Sequence, residues 1–462
     1  MNCAIPNFEK NSPTNHKRNL LMNSNQTRRQ FINTTGTALA GVGLGLALSP
    51  RALAQSKGAN DKVVFGLIGC GGMGRDNMRR FMGLSGVEVA AVCDVDEKHM
   101  DNAVNDVTKA GRPAPKKFKD FRRLLEEKEI NAVIIGTPDH WHALPFIAAC
   151  EAGKDIYCEK PISHSFVEAK AMLNAAKHFK TVVQVGTWQR GMKHFQDAID
   201  FVRSGKMGEI SICRSWIVNA ADKPNSNIGK QSPQAAPDYL DWDLWLGPAR
   251  KVGYQPNRCH NSWRWFFDYG GGLMTDWGVH MMDIGFLALQ NTDPISVASA
   301  GGIFTTKDDR DTPDTLLATY RFPKVLMTWE HRFNNARGLD GGSSHGTEFI
   351  GTNGTLIVDR NGYNYFPEKE NVEQPPAAER ISSTHWQEFL DCVKSRKTPL
   401  SGIESMAKTT MLCHLGNIAL QSGKTLRWDA KKQDVENHGD VKNCISYERE
   451  YRKPWKLKMY KA

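Results

Sequence analysis

One candidate for chemistry is Lys160, in the segment CEKP at residues 158–161. A lysine ammonium can donate a hydrogen bond to a substrate oxygen and stabilise negative charge that develops there. Its neighbour Glu159 could orient the lysine or contact a cofactor, and Pro161 stiffens the chain after the pair. The alternative is that Lys160 is a solvated surface charge. The position of this segment in the fold distinguishes the two interpretations.

A second candidate group lies in the segment DYGGGLMTDWGVHMMD, where Asp276, His280 and Asp283 are spaced i, i+4 and i+7. This spacing puts all three on one face of a helix. Neutral His280 can act as a general acid/base, and Asp276 can orient it or supply a negative charge to the site. There are two alternatives: Asp276 and His280 could both bind a metal, or Asp276 could cap a helix while His280 packs in the core. Because no further histidine or glutamate clusters with the pair, we predict no metal site.

A glycine-rich segment at residues 69–74 matches the pattern G-x-G-x-x-G and precedes Asp94 by 20 residues. It follows an apolar run and opens a helical pattern, as in dinucleotide-binding loops. The backbone of such a loop approaches a pyrophosphate, whose charge the helix N-terminus stabilises. Asp94 can accept hydrogen bonds from a ribose and would repel a 2′-phosphate, so we expect NAD rather than NADP. The residues expected to hold it are Gly69, Cys70, Gly71, Gly72, Met73, Gly74 and Asp94.

The elements that position these residues follow two patterns. Five apolar strand-type runs alternate with helical segments, which indicates a parallel sheet covered by helices on both faces. This predicts a doubly wound α/β Rossmann domain over residues 61–186. Residues 187–462 show strand-like runs with short turns, then helical patterns near 268–290 and 384–422. They predict a substrate-binding α+β domain with a large open, mainly antiparallel sheet and C-terminal helices.

Ligands of open α/β sheets bind beyond the carboxyl ends of the strands. The third, fourth and fifth predicted strands end in GTPDHWH, CEKP and GTWQR. We therefore expect one crevice to be lined by Thr137, Pro138, His142, Glu159, Lys160, Trp188, Gln189 and Arg190. Those up to Gln189 are predicted cofactor contacts, and Arg190 is a predicted substrate contact.

The glycine loop, TPDHWH, EKP and GGGLMTDWGVHMMD, in this order, resemble the Gfo/Idh/MocA oxidoreductases over about residues 61–430. The resemblance implies a nicotinamide cofactor and a sugar, cyclitol or related polyol substrate. It implies that Lys160 and His280 meet at the substrate hydroxyl, with Asp276 beside them. It also implies a homo-oligomer, a dimer or tetramer, formed through the exposed face of the open sheet. Asp139 departs from the family, which commonly has asparagine after Thr-Pro.

The substrate class is also indicated by aromatic residues, since five of the 12 tryptophans lie within residues 242–277. Aromatic faces stack on the apolar faces of sugar rings. A packed aromatic core is the alternative. Arginines and a histidine in the same stretch could donate to hydroxyl groups, which favours a sugar or glycoside. The predicted substrate site comprises Lys160, Arg190, Trp263, Arg264, Asp276 and His280.

Residues 1–54 have the pattern of a targeting segment. The pair Arg28–Arg29 precedes an uncharged stretch, and a small-x-small pattern ends at Ala54, which predicts a twin-arginine export signal and a periplasmic or extracytoplasmic location. A helical anchor is the alternative, although the stretch is too interrupted for a permanent membrane span. Met22 is an alternative start of translation.

The net charge of +10 does not indicate a nucleic-acid partner. Residues 1–54 hold six basic residues and one acidic residue, a charge of +5, which leaves +5 for the other 408 residues. No lysine and arginine cluster forms a stripe, so nucleic acid is excluded as a partner. The ten cysteines include no CxxC pair, which excludes a disulfide framework and a zinc site.

An exported enzyme has no ready pool of free NAD, so we expect a tightly bound cofactor that is recycled internally. The predicted function is oxidation of a hydroxyl of a sugar, glycoside or cyclitol, for instance C3 of a glycoside. A redox-neutral glycoside hydrolase that oxidises, eliminates and reduces is an alternative, but no second acid/base pair is recognisable. A non-catalytic sugar-binding protein would need a damaged site, whereas Lys160 and His280 are both present.

Overall fold

Two sheets organise the part of the chain that the computed structural model describes. The described residues are 62–219, 227–339, 342–370, 372–376 and 383–461. The predicted export signal, residues 1–54, lies outside them. Within the described ranges, no helix has the length and apolar character needed to cross a bilayer.

The first sheet has six parallel strands in the order β3-β2-β1-β4-β5-β6. Its strands are β1 (Val63–Ile68), β2 (Val87–Cys93), β3 (Lys116–Phe118), β4 (Ala132–Ile135), β5 (Asp155–Cys158) and β6 (Val183–Val185). The central strands are buried almost throughout because helices cover both faces of the sheet. The predicted doubly wound Rossmann sheet is confirmed. The edge strand β3 is not among the five strands that the sequence pattern predicts, because its sequence, KKF, contains no apolar run.

The five helices of this domain are α1 (Gly72–Met82), α2 (Glu97–Lys109), α3 (Phe121–Leu125), α4 (Asp139–Glu151) and α5 (Phe166–Phe179). Three of them, α2, α3 and α5, begin with a side-chain cap. The side chain of Asp96 accepts a hydrogen bond from the His99 amide at the start of α2, and Ser165 caps α5 in the same way. Such caps satisfy amide groups that the first helical turn leaves unpaired.

The second sheet has nine strands in the order β13-β12-β11-β7-β10-β9-β8-β14-β15. Its strands are β7 (Ile210–Val218), β8 (Ser296–Gly302), β9 (Thr315–Arg321), β10 (Leu326–Arg332), β11 (His345–Gly351), β12 (Gly354–Asp359), β13 (Gly362–Pro367), β14 (Leu426–Asp429) and β15 (Asp434–Val435). All neighbouring pairs are antiparallel except β7 and β10, which run parallel. The predicted open, mainly antiparallel sheet is therefore confirmed.

The helices of the second half are shorter than predicted. They are α6 (Lys193–Arg203), α7 (Trp242–Leu246), α8 (Gly272–Asp276), α9 (Gly278–Ala288), α10 (His385–Ser395), α11 (Ile403–Ser422) and α12 (His438–Val441). The helix expected near 268–290 is broken at Trp277 into α8 and α9. The helical patterns expected over 384–422 form two helices, which separate where Arg396 takes a left-handed conformation after α10. Helix α11 packs against α5, α9 and β8 and so contacts both domains.

A buried ion pair joins the Rossmann domain to α9. Arg190 lies in a 3-10 turn just after β6, and its Nε and Nη2 donate to the two carboxylate oxygens of Asp283 at 2.7 and 2.5 Å. The two side chains are only 2% and 1% exposed. The remaining Arg190 donors reach Leu400 O and Ser405 Oγ. Arg190 was predicted as a substrate contact, but it is held in this buried pair and does not line the crevice described below. Asp283, expected on one helix face with Asp276 and His280, faces Arg190 instead.

We expect Arg190→Gln to lower the free energy of unfolding by about 3–5 kcal/mol, because Asp283 would stay buried without its countercharge. Urea denaturation followed by tryptophan fluorescence measures the change. Arg123→Gln is the control, since Arg123 pairs with Glu126 at the surface. Equal effects of the two substitutions would contradict this account.

Candidate active site

A crevice of about 1190 Å³ lies at the carboxyl ends of the Rossmann strands and is closed on its other side by the second domain. Most of the predicted site residues line it: Gly69, Gly71, Gly72, Met73, Asp94, Thr137, Pro138, Glu159, Lys160, Trp188, Trp263, Arg264, Asp276 and His280. The structure therefore brings the glycine loop and the candidate acid/base residues into one space.

The glycines of the loop serve two purposes. Gly69 has a φ of +90°, and a Cβ there would lie 2.5 Å from Thr137 N. A Cβ on Gly74 would lie 1.9 Å from Gly69 O, so this glycine lets α1 pack closely on the loop. A Cβ on Gly71 or Gly72 would meet nothing within 4 Å, because both face the open crevice. Two glycines are thus needed for packing, and two leave room for a ligand.

The start of α1 and Asp94 complete a fit to a dinucleotide. The N-cap of α1 is Gly71, which offers no side-chain hydrogen bond, so the helix presents free amide groups to an anion. Asp94 Oδ2 accepts from Cys70 N at 2.6 Å, and Oδ1 accepts from Asp96 N at 2.9 Å. Burial raises the pKa of Asp94, while His99 and these amides oppose the shift. The carboxylate is thereby fixed beside the loop, where a ribose would lie.

Four predicted cofactor contacts lie behind the crevice wall rather than in it. The Cys70 side chain is buried, and Gly74 packs against the loop. His142 is buried with Nδ1 2.7 Å from Pro161 O and Nε2 2.9 Å from Thr137 O. Gln189 is buried, and its Oε1 accepts from Arg360. Both ring nitrogens of His142 have protein partners, so its expected cofactor contact is corrected to support of neighbouring loops. Gln189 does not line the crevice, and only its Oε1 has a partner, since Nε2 is buried without one.

The ammonium of Lys160 is held by Asp276. Lys160 Nζ donates to Asp276 Oδ1 at 2.7 Å and to Asp276 O at 2.8 Å. Arg264 Nε donates to the same carboxylate oxygen at 3.1 Å. Burial would raise the pKa of Asp276, but Lys160 and Arg264 outweigh it and hold this pKa below its ordinary value. Asp276 is therefore an ionised anchor for the lysine.

Glu159 supports the backbone of Lys160 rather than its ammonium. Its Oε2 accepts from Lys160 N at 3.2 Å, and its Oε1 accepts from Asn77 Nδ2 at 2.7 Å. Asn77 Oδ1 in turn accepts from Trp386 Nε1 at 3.0 Å, which links α1 and α10 to the end of β5. Burial raises the pKa of Glu159, opposed by Lys160 and Asn77. Asn77 and Trp386 carry no sequence signal, since they belong to ordinary amphipathic helices.

His280 lines the crevice as a buried imidazole, 6% exposed. Burial, Lys160 and Arg360 hold the pKa of His280 well below its ordinary value, against the opposing effect of Asp276. The ring is therefore neutral near pH 7 and can accept a proton. Asp276 ends α8 and His280 lies in α9, so the break at Trp277, not one continuous helix, brings both side chains to the crevice.

Comparison with known proteins agrees with this geometry. Residues 63–187 match the family model for the NAD-binding Rossmann fold of the Gfo/Idh/MocA oxidoreductases, and residues 224–457 match the model for their C-terminal alpha/beta domain. The chain belongs to the Gfo/Idh/MocA oxidoreductase family. Its Rossmann domain is an NAD-binding domain of that family.

Relatives of this Gfo/Idh/MocA chain include enzymes of two kinds. It is 30% identical over 201 residues to a glycosyl hydrolase family 109 protein of Shewanella pealeana, covering 40% of this chain and 44% of that protein. It is 30% identical over 172 residues to the inositol 2-dehydrogenase of Salmonella paratyphi B, covering 37% and 49%. The matches thus span less than half of each of these relatives. A levoglucosan dehydrogenase solved with NADH and levoglucosan superimposes with a TM-score of 0.59 at 18% identity, over 79% of this chain and 99% of that one.

Asp139, the departure from the family pattern, lies at the start of α4 and lines the crevice. It is 4% exposed, and burial raises the pKa of Asp139 well above its ordinary value, against the effects of Arg264 and Lys160. The Gfo/Idh/MocA crevice of this chain therefore contains a carboxyl group that favours its protonated form.

The aromatic stretch of the second domain is largely core. Trp242 stacks on Trp245 with ring centroids 4.7 Å apart, and Trp265 is buried. Trp245, Trp263 and Trp277 also line the crevice. The alternative of a packed aromatic core thus holds for most of this stretch, while Trp245, Trp263 and Trp277 each also border the crevice.

Alanine substitutions in the loop separate binding from packing. We expect Gly72→Ala to fold with an unchanged denaturation midpoint but to bind NAD about tenfold more weakly or worse, because its methyl group enters the crevice. We expect Gly74→Ala to lower the midpoint as well, because its Cβ would clash with Gly69 O. Urea denaturation and calorimetric titration with NAD measure the two effects. Wild-type NAD affinity in Gly72→Ala would contradict the assignment of the open side.

Proposed function

We propose that the protein is an NAD-dependent enzyme that oxidises a hydroxyl group of a sugar, glycoside or cyclitol. The observation that carries the proposal is the bond from Lys160 Nζ to Asp276, beside a neutral His280, in the crevice that holds the glycine loop. NAD, when bound, supplies the acceptor for the hydride that leaves the substrate carbon. The similarity to an inositol dehydrogenase and to a levoglucosan dehydrogenase supports a polyol substrate.

The side chains divide the proton chemistry among them. Oxidation of a secondary alcohol removes a hydroxyl proton as the C–O bond gains carbonyl character. His280 takes this proton on its ring, which is free to accept it because its pKa is lowered. Lys160 donates a hydrogen bond to the same oxygen and stabilises its developing negative charge. Asp276 accepts hydrogen bonds from the Lys160 ammonium and so fixes its position.

A second candidate function is redox-neutral glycoside hydrolysis. The similarity to the glycosyl hydrolase family 109 protein favours it. So does Asp139, since a buried carboxyl group whose pKa is raised well above its ordinary value is suited to donate a proton to a leaving-group oxygen. Net oxidation remains the first proposal because its requirements are met by Lys160 and His280 alone. A non-catalytic sugar-binding protein is disfavoured, because such a protein has no use for a lysine and a neutral histidine at the cofactor loop.

Location and assembly are part of the proposal. The twin-arginine pattern in residues 1–54 supports export to the periplasm or beyond, with NAD carried in the folded protein. There the NADH formed by oxidation of one sugar would be returned to NAD by transferring its hydride to the carbonyl group of a second sugar. A homo-oligomer formed through the open sheet is supported by Leu317 and Leu326, which are 48% and 40% exposed on neighbouring strands β9 and β10.

Substitution of the two reacting residues tests the mechanism. We expect Lys160→Met and His280→Gln each to lower turnover by a factor on the order of 10² or more, with the fold intact. Lys128→Met, at an exposed surface lysine, is the control. Because His280 must be neutral to accept a proton, kcat/KM should fall only as the pH drops below about 6.5. Lys160→Met removes a cation that lowers this pKa, so the acidic limb should move to higher pH. Near-wild-type turnover in both variants would refute the assigned roles.

Product analysis distinguishes the two candidate reactions. Protein purified without added cofactor should release NAD on denaturation, measured by absorbance and chromatography. The protein is then incubated with methyl glycosides, and the products are identified by NMR. A keto sugar is expected for net oxidation, and a free reducing sugar would favour the hydrolase. Absence of any dinucleotide together with failure to bind added NAD would contradict both.

A further inference from the structure

Arg360 is a cation that reaches the crevice from the second sheet. It lies in the two-residue turn between β12 and β13, where Asp359 Oδ1 accepts from Asn361 N and Gly362 N at 2.6 and 3.2 Å. These hydrogen bonds fix the backbone from which the Arg360 side chain extends. Its side chain lines the same crevice as Lys160, Asp276 and His280. The sequence around it, DRNG, is an ordinary turn and does not point to a site.

The guanidinium of Arg360 lies over two aromatic rings. Its central carbon lies 4.9 Å from the ring centroid of Trp188 and 4.5 Å from that of Trp277. Its Nε and Nη2 donate to Gln189 Oε1 at 3.3 and 3.1 Å. The amide oxygen of Gln189 therefore accepts from the Nε and Nη2 edge of the guanidinium. The edge formed by Nη1 and Nη2 still has N–H groups that can donate to a ligand. Three neighbours thus orient a charged fork without neutralising it.

No carboxylate in the described part of the chain forms a salt bridge with Arg360. Asp276, the ionised acid of the crevice, is already shared by Lys160 and Arg264. Burial lowers the pKa of Arg360 to about 10, which still leaves it charged near neutral pH. A partly buried cation without a countercharge is unfavourable unless a ligand supplies one. Lys160, Arg264 and Arg360 all interact with Asp276, so three cations lie around this one carboxylate at its end of the crevice.

We propose that Arg360 binds a carboxylate on the substrate, so that the preferred substrates are sugar acids, such as glycosides of uronic acids. This rests on the proposed function, whose site it deepens. With its Nε and Nη2 edge held by Gln189, the guanidinium can offer its other edge to a ligand, and this planar pair of donors matches the two oxygens of a carboxylate better than a single hydroxyl. Trp277 directly follows Asp276, which places the fork beside the reacting groups. The cofactor pyrophosphate has its own site at the glycine loop, on the Rossmann side of the crevice.

The test compares matched pairs of sugars that differ only at C6. Methyl glucoside and methyl glucuronide, and the corresponding galactose pair, are titrated by calorimetry into protein loaded with NAD, and kcat/KM is measured for each. We expect the wild type to prefer the carboxylate member of a pair by about tenfold or more in both measurements. Arg360→Gln should remove most of this preference, a reduction of about tenfold, and Arg360→Lys should retain part of it. Arg123→Gln serves as the charge control.

The outcomes separate the two proposals. Equal binding of both members of each pair by the wild type, or a preference that Arg360→Gln leaves unchanged, overturns the carboxylate site while oxidation of neutral sugars would leave the proposed function standing. A preference in binding that is lost in Arg360→Gln, without turnover of any sugar, supports the carboxylate site and counts against the proposed function. A lower affinity of Arg360→Gln for NAD with an unchanged sugar preference assigns Arg360 to the cofactor and overturns the proposal.

Discussion

The contact between Lys160 and Asp276 is the interaction on which the rest of the site depends. The lysine follows a Rossmann strand and the aspartate ends a helix of the second domain, so the pair can form only where the two domains meet. Both side chains are mostly buried, at 12% and 16% exposed, and their removal from water is unfavourable. The 2.7 Å contact and the added bond from Arg264 offset that cost. The domain interface is therefore part of the reactive centre.

The same arrangement sets the protonation states of the crevice. Cations around Asp276 keep it ionised, and two of the cations near His280 help burial to keep that ring neutral. One cluster of positive charge thus holds an acid in its charged form and a base in its uncharged form. It also draws negative charge into the crevice, both the charge that develops on a reacting oxygen and any carried by the ligand.

The glycine loop illustrates why fold and site can share residues. Gly69 and Gly74 permit the close approach of β1, α1 and the β4 loop, and that approach leaves Gly71 and Gly72 facing open space. The same turn thus provides both the close backbone packing and the open space for a ligand. The buried pair of Arg190 and Asp283 has a comparable role behind the wall, where it ties the turn after β6 to the helix that carries His280.

Much of this protein follows from local patterns in its sequence. Apolar runs that alternate with helical periods specify a parallel sheet, and the glycine fingerprint with Asp94 specifies a dinucleotide loop, because both depend on residues close in the chain. Lys160 and His280 could be picked out for the same reason, since strand ends and short motifs carry a recognisable chemistry. Their joint placement, the break at Trp277 and the removal of Arg190, His142 and Gln189 from the crevice were decided by tertiary packing. Arg360 shows the difference most clearly: its sequence is that of a turn, and only the approach of Trp188, Gln189 and Trp277 from distant segments makes it part of the site. Desolvation and charge depend on neighbours in space, which local sequence patterns do not encode.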